Sequence, residues 1–244
     1  MRIRSAFVVP AVVALLVSGG ASAQPKPPAS TSAAPAAPAA SASAAPLAKP
    51  ATASDLAGNI QKVYATINAF EADFTQQYVM KAFGQTKNSK GHVLFVKPGK
   101  MRWDYTEPKD NLVVSDNETL WSYTPADKAA RKMKVKDSQM PTALAFLTGK
   151  GDLGKEFNLE LMDAKQLKFE GGYVLKATPK VATNLYNFVL FYVDGTTFHV
   201  RRVLIVDAQD NRNRFDFEKG TVNGKWDENR FKWAPPAGVA VTAN

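Results

Sequence analysis

Apolar residues between positions 56 and 70 recur with the spacing of one face of an α-helix. About 3.6 residues make one helical turn, so side chains three, four, seven and eight positions apart lie on the same side. The apolar residues with this spacing are Leu56, Ile60, Val63, Tyr64, Ile67 and Phe70. Ser54 and Asp55 precede them and are suited to cap the first turn. The sequence therefore predicts an amphipathic helix over Leu56 to Phe70.

The period of the apolar residues changes at Phe70. From Phe70 to Thr75 apolar and polar residues alternate, which is typical of a half-buried strand. Similar runs continue to the C-terminus and are separated by turn formers such as those at 97–99 and 194–195. The later predicted strands are residues 92–96, 101–105, 111–114, 119–123, 131–135, 157–162, 166–169, 173–177, 187–193, 198–207 and 212–218. Many short strands joined by tight turns predict an antiparallel sheet of about eleven strands.

One segment interrupts this series of strands. Residues 137–150 have Pro141 in a first-turn position, Gly149 as a stop signal, and three apolar residues with helical spacing. These apolar residues are Met140, Leu144 and Leu147. The segment predicts a second helix. Because an extended antiparallel sheet curls, we expect the two helices to cover its concave face.

The first 54 residues divide into an export signal and a linker. Arg2 and Arg4 precede an apolar run at 6–17, and Ala23 ends a stretch of small residues that is typical of a cleavage site. The run is shorter than the roughly 20 residues of a spanning helix, which favours a signal peptide cleaved after Ala23 over a retained anchor. Residues 24–54, rich in Ala, Pro and Ser, predict a disordered linker, either a passive tail or a spacer. Residues 55–244 then form the folded domain.

Composition excludes several classes of function. The chain has no Cys, which excludes disulfides, thiolate metal sites, a Cys nucleophile and a lipid attached at Cys. The net charge is +9, but four of the 31 basic residues precede Asp55, the first acidic residue, so the domain is only modestly basic. The basic run at 128–136 lacks the interleaved aromatic rings of a single-strand binder. We therefore expect no nucleic-acid partner.

Residues able to perform catalysis form no recognised arrangement. His92 and His199 lie in strand-like runs without a second metal ligand at helical spacing, and no nucleophile elbow or phosphate-binding Gly loop occurs. Two pairs of acidic residues lie beside turns. These pairs are Asp104 with Glu107 and Asp116 with Glu118. Solvated turn carboxylates are the simpler interpretation, while a hydrolase with two carboxylates stays open as an alternative.

Aromatic residues are concentrated in two neighbouring predicted strands. Met101, Trp103 and Tyr105 share one face of the first strand, and Trp121 and Tyr123 share one face of the second. The sequence predicts that both sets lie on the same side of the sheet. There they either fill a closed core or line a cavity, and composition alone leaves both alternatives open.

Four stretches of the sequence are similar to those of one protein family. They are FEADFTQ at 70–76, KPGKMRWDY at 97–105, LVVSDNETLWSYTP at 112–125 and FKWAPPAGV at 231–239. Together with a secretory signal that lacks a lipid-attachment Cys, they resemble the LolA-type periplasmic carriers of outer-membrane lipoproteins. The resemblance spans residues 55–240 and is weakest between 150 and 215.

This resemblance implies an unclosed antiparallel β-barrel with a lid of short α-helices, which holds the acyl chains of lipoproteins in an apolar cavity. Such a carrier is not an enzyme and has no metal or cofactor. It receives acylated lipoproteins from an inner-membrane ABC transporter and delivers them to an outer-membrane receptor, and we expect a periplasmic monomer. A carrier or sensor of another amphiphile with the same fold, such as a glycolipid or phospholipid, is the alternative.

The resemblance also implies roles for particular residues. The residues implied to line the acyl-chain cavity are Phe74, Met101, Trp103, Tyr105, Val114, Trp121 and Tyr123. The residues implied to form the lid are Leu56, Ile60, Val63, Ile67, Met140, Leu144 and Leu147. Many family members have Lys-Arg-Pro before the predicted strand at 101–105, with the Arg bonded to lid carbonyls. This chain has Val96-Lys97-Pro98, so Lys97 is the candidate lid latch, without the planar fork of an Arg.

Overall fold

The computed structural model describes residues 48–138 and 151–243. Within these ranges the chain forms one twelve-stranded sheet and two α-helices. The helices are α1 (Ala53–Ala65) and α2 (Leu153–Glu156). The strands are β1 (Ala69–Met80), β2 (Gln85–Val96), β3 (Lys100–Glu107), β4 (Leu112–Ser115), β5 (Thr119–Thr124), β6 (Ala129–Lys134), β7 (Phe157–Met162), β8 (Gly172–Pro179), β9 (Phe188–Asp194), β10 (Val200–Val206), β11 (Arg212–Val222) and β12 (Ala240–Ala243).

The sheet is unclosed and almost entirely antiparallel. Its strand order is β12-β6-β5-β4-β3-β2-β1-β11-β10-β9-β8-β7. Every neighbouring pair is antiparallel except β12 with β6, which is parallel. Strands β7 and β12 form the two edges and do not pair with each other. The predicted mainly β, unclosed antiparallel architecture is therefore confirmed.

Strand β2 begins at Gln85, seven residues before the predicted strand at 92–96, and two further segments differ from the prediction. Residues 166–169 form a turn instead of a strand, because Asp163 Oδ1 accepts hydrogen bonds from the backbone N–H groups of Lys165 and Gln166 at 2.8 and 3.3 Å. Lys168 in this turn has a φ of 53°, a left-handed conformation that ends strand geometry. Strand β12 was not predicted, since its parallel pairing with β6 joins residues far apart in the sequence.

Helix α1 is confirmed, but both of its ends differ from the prediction. Thr52 is the N-cap, and Asp55 is the third helical residue. The Thr52 side chain accepts from the Asp55 N–H at 3.1 Å, and the Asp55 carboxylate accepts from the Thr52 N–H at 3.0 Å, which forms a capping box. The helix ends at Ala65. Ile67 therefore lies beyond the helix, and Phe70 belongs to β1.

The folded chain begins before the expected boundary at residue 55. Asn59 Nδ2 donates a hydrogen bond to the carbonyl of Ala48 at 2.9 Å, and Pro50 is buried. The predicted signal peptide, most of the predicted linker, and the predicted second helix with Met140, Leu144 and Leu147 lie outside the described residues. In the described ranges, no helix has the length and apolar character that crossing a membrane requires.

Cross-strand pairing divides the side chains of the sheet between two faces. We call the face under α1 the core face, because its side chains form the largest buried cluster together with Leu56 and Ile60 of α1. Trp103 is the bulkiest member of this cluster and has no exposed surface. We call the opposite side the outer face. It has two smaller clusters, one that includes Phe231 and one that includes Tyr192.

The chain that follows β11 crosses the outer face, and we call residues 223–239 the C-terminal segment. Phe231 in this segment is buried against residues of β1 and β2. Arg102 of β3 donates from a terminal nitrogen to the carbonyl of Arg230 at 2.8 Å. Beyond residue 239 the chain pairs with β6 as strand β12. The segment therefore covers the outer side of strands β1 to β3 before it reaches the sheet edge.

Candidate functional site

Aromatic rings from four strands meet at the centre of the core face. The Trp103 ring centroid lies 4.8 Å from that of Phe74, 5.5 Å from that of Phe95 and 5.1 Å from that of Phe215. Tyr105, two residues along the same strand, lies 5.1 Å from Phe74. Alternate residues of each strand point to the same side of the sheet, and the register between the strands aligns these residues. The rings therefore meet. The result is a continuous aromatic and apolar surface.

Four of the seven predicted cavity residues lie on this surface. They are Phe74, Met101, Trp103 and Tyr105. The first three are 2%, 1% and 0% exposed, so no solvent-filled space adjoins them in the described state. The structure thus brings these four side chains together in a closed arrangement, and the shared face of Met101, Trp103 and Tyr105 follows the predicted alternation.

Val114, Trp121 and Tyr123 lie on the outer face, and their predicted placement beside Trp103 is wrong. Trp103 pairs with Val113, so Val114 points to the other side, and Val114 pairs with Trp121. Alternation within each strand was predicted correctly. The relation between the two strands depends on the register across the β3–β4 and β4–β5 turns, and a shift of one residue exchanges the faces.

The rings of Trp121 and Tyr123 pack against the C-terminal segment. Trp233 lies 5.4 Å from the ring of Trp121 and 5.3 Å from that of Tyr123. The Lys132 ammonium lies 5.4 Å from the Trp121 ring centroid. These three aromatic residues therefore fasten the C-terminal segment to strand β5 and contribute nothing to the core face.

A chain of polar side chains borders the aromatic surface. The Tyr105 hydroxyl donates to Gln76 Oε1 at 3.0 Å, and Gln76 Nε2 donates to Asn213 Oδ1 at 2.8 Å. Burial raises the pKa of Tyr105, so the hydroxyl stays protonated and can act as the donor. At the centre of the surface, the Trp103 indole N–H finds no acceptor among the described residues. The core face thus combines an apolar centre with a few groups that can form hydrogen bonds.

Helix α1 covers the core face with the side chains that its sequence predicted. Leu56 and Ile60 are fully buried and Val63 is partly buried against the cluster. The hydroxyl of Tyr64 accepts a hydrogen bond from the backbone N–H of Val200 at 3.1 Å. Ile67 is also buried, but from the connection between α1 and β1. The helix therefore covers the centre of the aromatic surface.

Lys97 lies at the C-terminal end of α1. Its ammonium donates to the carbonyl oxygens of Tyr64 at 2.5 Å and Ala65 at 3.5 Å. A cation in this position also interacts favourably with the negative end of the helix dipole. Partial burial lowers the pKa of Lys97. The side chain that the sequence suggested as a latch therefore contacts the backbone of α1.

His92 and two carboxylates form an ionic cluster on the outer face. His92 Nε2 lies 2.8 Å from Glu71 Oε1, and its Nδ1 lies 3.2 Å from Asp73 Oδ1. Burial alone would lower the pKa of His92, but hydrogen bonds with both carboxylates outweigh it and raise the pKa. Arg230 of the C-terminal segment also contacts Glu71, at 3.0 Å. The cluster therefore helps to fix the C-terminal segment.

Three of the four acidic residues considered for catalysis have structural partners. Asp104 pairs with Arg102 at 2.8 Å, Glu107 pairs with Lys90 at 2.7 Å, and Asp116 accepts hydrogen bonds from the turn backbone. Burial lowers the pKa of the second histidine, His199. Among residues 48–138 and 151–243, no group of three or more His, Cys, Asp or Glu side chains is placed to hold a metal ion.

Sequence comparisons with known proteins identify one family. The family described as "Outer membrane lipoprotein carrier protein LolA" matches residues 65–234. An outer-membrane lipoprotein carrier protein of Methylibium petroleiphilum is 30% identical over 191 residues, which cover 78% of this chain and 90% of that protein. The corresponding protein of Nitrosospira multiformis is 29% identical over 192 residues, covering 75% of this chain and 86% of that protein. The structure also aligns with the crystal structure of a LolA superfamily protein from Nitrosomonas europaea, with 11% identity and a TM-score of 0.43. This alignment covers 75% of this chain and 99% of that protein's chain.

Proposed function

Because the chain belongs to the LolA family of outer membrane lipoprotein carrier proteins, we propose that it binds the acyl chains of lipoproteins on its core face. It acts in the periplasm as a monomeric carrier, after removal of the signal peptide at Ala23, and not as an enzyme. It takes acylated lipoproteins from an inner-membrane ABC transporter and delivers them to an outer-membrane receptor.

The observation that carries this proposal is the continuous aromatic surface under α1. Each methylene removed from water contributes about 0.8 kcal/mol, so an acyl chain needs a large apolar surface to remain in a soluble complex. The rings of Phe74, Trp103 and Phe215, with Met101 beside them, supply such a surface. The hydroxyl of Tyr105 and the amide of Gln76 lie at its border, where the polar ester or amide groups of a lipid-modified residue can form hydrogen bonds.

Cargo has to displace α1, because Leu56 and Ile60 already occupy the core face. The closed state is thus a competitor of the cargo, and closure of the helix helps to expel it without any cofactor. Lys97 holds the end of α1 against the turn before β3 and stabilises the closed state. Leu56, Ile60 and Val63 form the lid, together with the predicted helix of Met140, Leu144 and Leu147.

The direct test compares the two faces of the sheet. Met101→Glu and Trp103→Glu should abolish uptake of a triacylated lipoprotein from ATP-energised inner-membrane vesicles, because a carboxylate then lies where the acyl chains bind. Trp121→Glu is the matched control, since Trp121 lies on the outer face. Met101→Gln keeps the shape of the side chain, and it should fold and take up less cargo. Normal uptake by folded Met101→Gln and Trp103→Glu proteins would refute the assignment of the core face.

A second experiment tests the lid. The chain has no native Cys, so cysteines introduced at Ala65 and Lys97 can be joined by a cleavable bismaleimide that spans about the length of the Lys97 side chain, whose ammonium lies 3.5 Å from the Ala65 carbonyl oxygen. The crosslinked protein should not load, and cleavage of the linker should restore loading. Loading at the normal rate with the crosslink intact would show that α1 does not move at this end.

The identity of the cargo is tested by native mass spectrometry of the protein purified gently from the periplasm. Recovery of triacylated lipoproteins bound to the protein supports the proposal. Recovery of only glycolipid or phospholipid would keep the core face as a lipid site and replace the cargo.

A further inference from the structure

A basic groove crosses the outer face, away from α1 and from the C-terminal segment. It has a volume of about 650 Å³ and lies between strands β1, β9, β10 and β11 and the turn at 163–169. Leu167, Tyr192 and Leu204 supply apolar surface within it. The cationic side chains that line the groove are Lys81, Lys168, Arg202, Arg212 and Arg214.

Two of these arginines are held in place by a single carboxylate. Asp216 accepts from Nε of Arg202 at 2.5 Å through one oxygen and from Nε of Arg214 at 2.6 Å through the other. The guanidinium of Arg202 also lies 5.1 Å from the ring centroid of Tyr192. The terminal nitrogens of both arginines form no hydrogen bond with the described residues, so they retain donors for a ligand. Because the guanidinium groups are already ordered, a ligand would meet a small entropic cost.

The groove has an excess of positive charge. Lys81 is paired with Asp210 at 2.5 Å, and Asp216 is shared between Arg202 and Arg214. Lys168 and Arg212 are exposed and form no ion pair within 4 Å with any residue in the described ranges, although Arg212 contributes with Lys81 to lowering the pKa of Asp210. Five cationic groups therefore face two carboxylates, which leaves an unneutralised charge suited to a doubly charged anion.

We propose that this groove binds a phosphate ester. Guanidinium groups match the geometry of phosphate oxygens through paired N–H donors. Carboxylates share that geometry, but the excess of positive charge in the groove favours the doubly charged phosphate of a monoester over a singly charged carboxylate or halide. The adjoining surface of Tyr192, Leu167 and Leu204 accommodates an apolar group attached to the phosphate. The phosphate belongs either to a lipid headgroup or to a soluble ester. Since the groove and the core face lie on opposite sides of the sheet, this site does not depend on the proposed carrier function.

The test uses a pair of variants with equal changes in charge. Lys168→Gln with Arg212→Gln removes two positive charges from the groove, and Lys109→Gln with Lys225→Gln removes two from exposed positions elsewhere. All four residues are exposed, so both double variants should fold. The soluble probe is phenyl phosphate, measured by calorimetry. The membrane probe is binding to vesicles of phosphatidylglycerol with phosphatidylcholine, compared with phosphatidylcholine alone.

The groove variant should lose affinity about tenfold for at least one probe, while the control variant changes less than about twofold. Binding of phenyl phosphate would identify a soluble ester as a sufficient ligand, and binding only to the anionic vesicles would identify the lipid headgroup. Arg202→Lys, which keeps the charge but removes the fork, should also weaken binding. Absence of binding to both probes, or an equal loss in the groove and control variants, would overturn the proposal.

Discussion

Replacement of Lys97 by Met should loosen α1 without disturbing the rest of the sheet. The substitution keeps most of the length and the apolar stem of the side chain, and it removes the ammonium that donates to the carbonyl oxygens of Tyr64 and Ala65 at 2.5 and 3.5 Å. It also removes a cation from the C-terminal end of the helix. Both losses act on the closed position of α1.

The size of the effect follows from the kind of contact that is lost. A hydrogen bond from a charged group contributes roughly 1.5 to 3 kcal/mol when it is sheltered from water. Lys97 is only partly buried, and solvent screening reduces this to about 1 kcal/mol. With RT of about 0.6 kcal/mol, the ratio of closed to open α1 should fall about fivefold.

Amide hydrogen exchange measures this opening directly. The amides of Ile60 and Tyr64 should exchange about fivefold faster in Lys97→Met than in the parent chain, because exchange in the native state reports local opening. The amide of Phe191 in β9 should keep its rate. Lys109→Met is the matched control, since Lys109 is exposed and lies in the turn after β3. Unchanged exchange in α1, or an equal acceleration in β9, would refute the reasoning.

Three further predictions concern the stability of the sheet. His92→Asn should remove part of the pH dependence of the free energy of urea unfolding. Because folding raises the pKa of His92, the protonated side chain adds stability that is complete below its ordinary pKa of 6.5 and is lost as the pH rises through the folded-state pKa. The unfolding free energies of parent and variant should therefore converge at alkaline pH. Trp233→Ala should cost about 1 to 2 kcal/mol in the same assay and increase solvent quenching of Trp121 fluorescence; an unchanged midpoint would contradict a fastening role. Gly91→Ala should lower the thermal midpoint, because a Cβ there would lie 2.1 Å from the carbonyl oxygen of Asp104; an equally stable variant would show that the strand shifts freely.

Periodicity was sufficient to predict most of the elements of this fold. Helix α1 and the strand that follows it were found because the apolar spacing changes from helical to alternating within a few residues of Phe70. The same alternation placed Met101, Trp103 and Tyr105 on one face. These features are local, so they can be predicted without knowledge of any distant contact.

Relations between strands could not be predicted in the same way. Val114, Trp121 and Tyr123 were assigned to the wrong face because the side on which a strand displays its rings depends on the register at the intervening turns. The turn at 163–169 contains enough apolar residues to resemble a strand, and the hydrogen bonds of Asp163 decide otherwise. Neither feature has a signal in apolar spacing alone.

In the proposed carrier function, the segments that cover the two faces of the sheet determine where a cargo enters. On the outer face, the C-terminal segment is joined to the sheet by ion pairs of Arg230 and by the packing of Trp233 against Trp121 and Tyr123, and it continues into a strand that pairs with β6. To expose the part of the outer face that lies under this segment, several backbone and ionic contacts would have to break together. On the core face, α1 is held by apolar contacts, by the Tyr64 hydroxyl and by Lys97, and short connections join it to the sheet. Apolar packing can be exchanged for the packing of an acyl chain at little net cost, whereas lost ion pairs and strand hydrogen bonds have no replacement in a lipid. Loading should therefore be an exchange on the core face, in which the fraction of protein with bound cargo rises as the fraction with the Tyr64 hydroxyl bonded to Val200 falls.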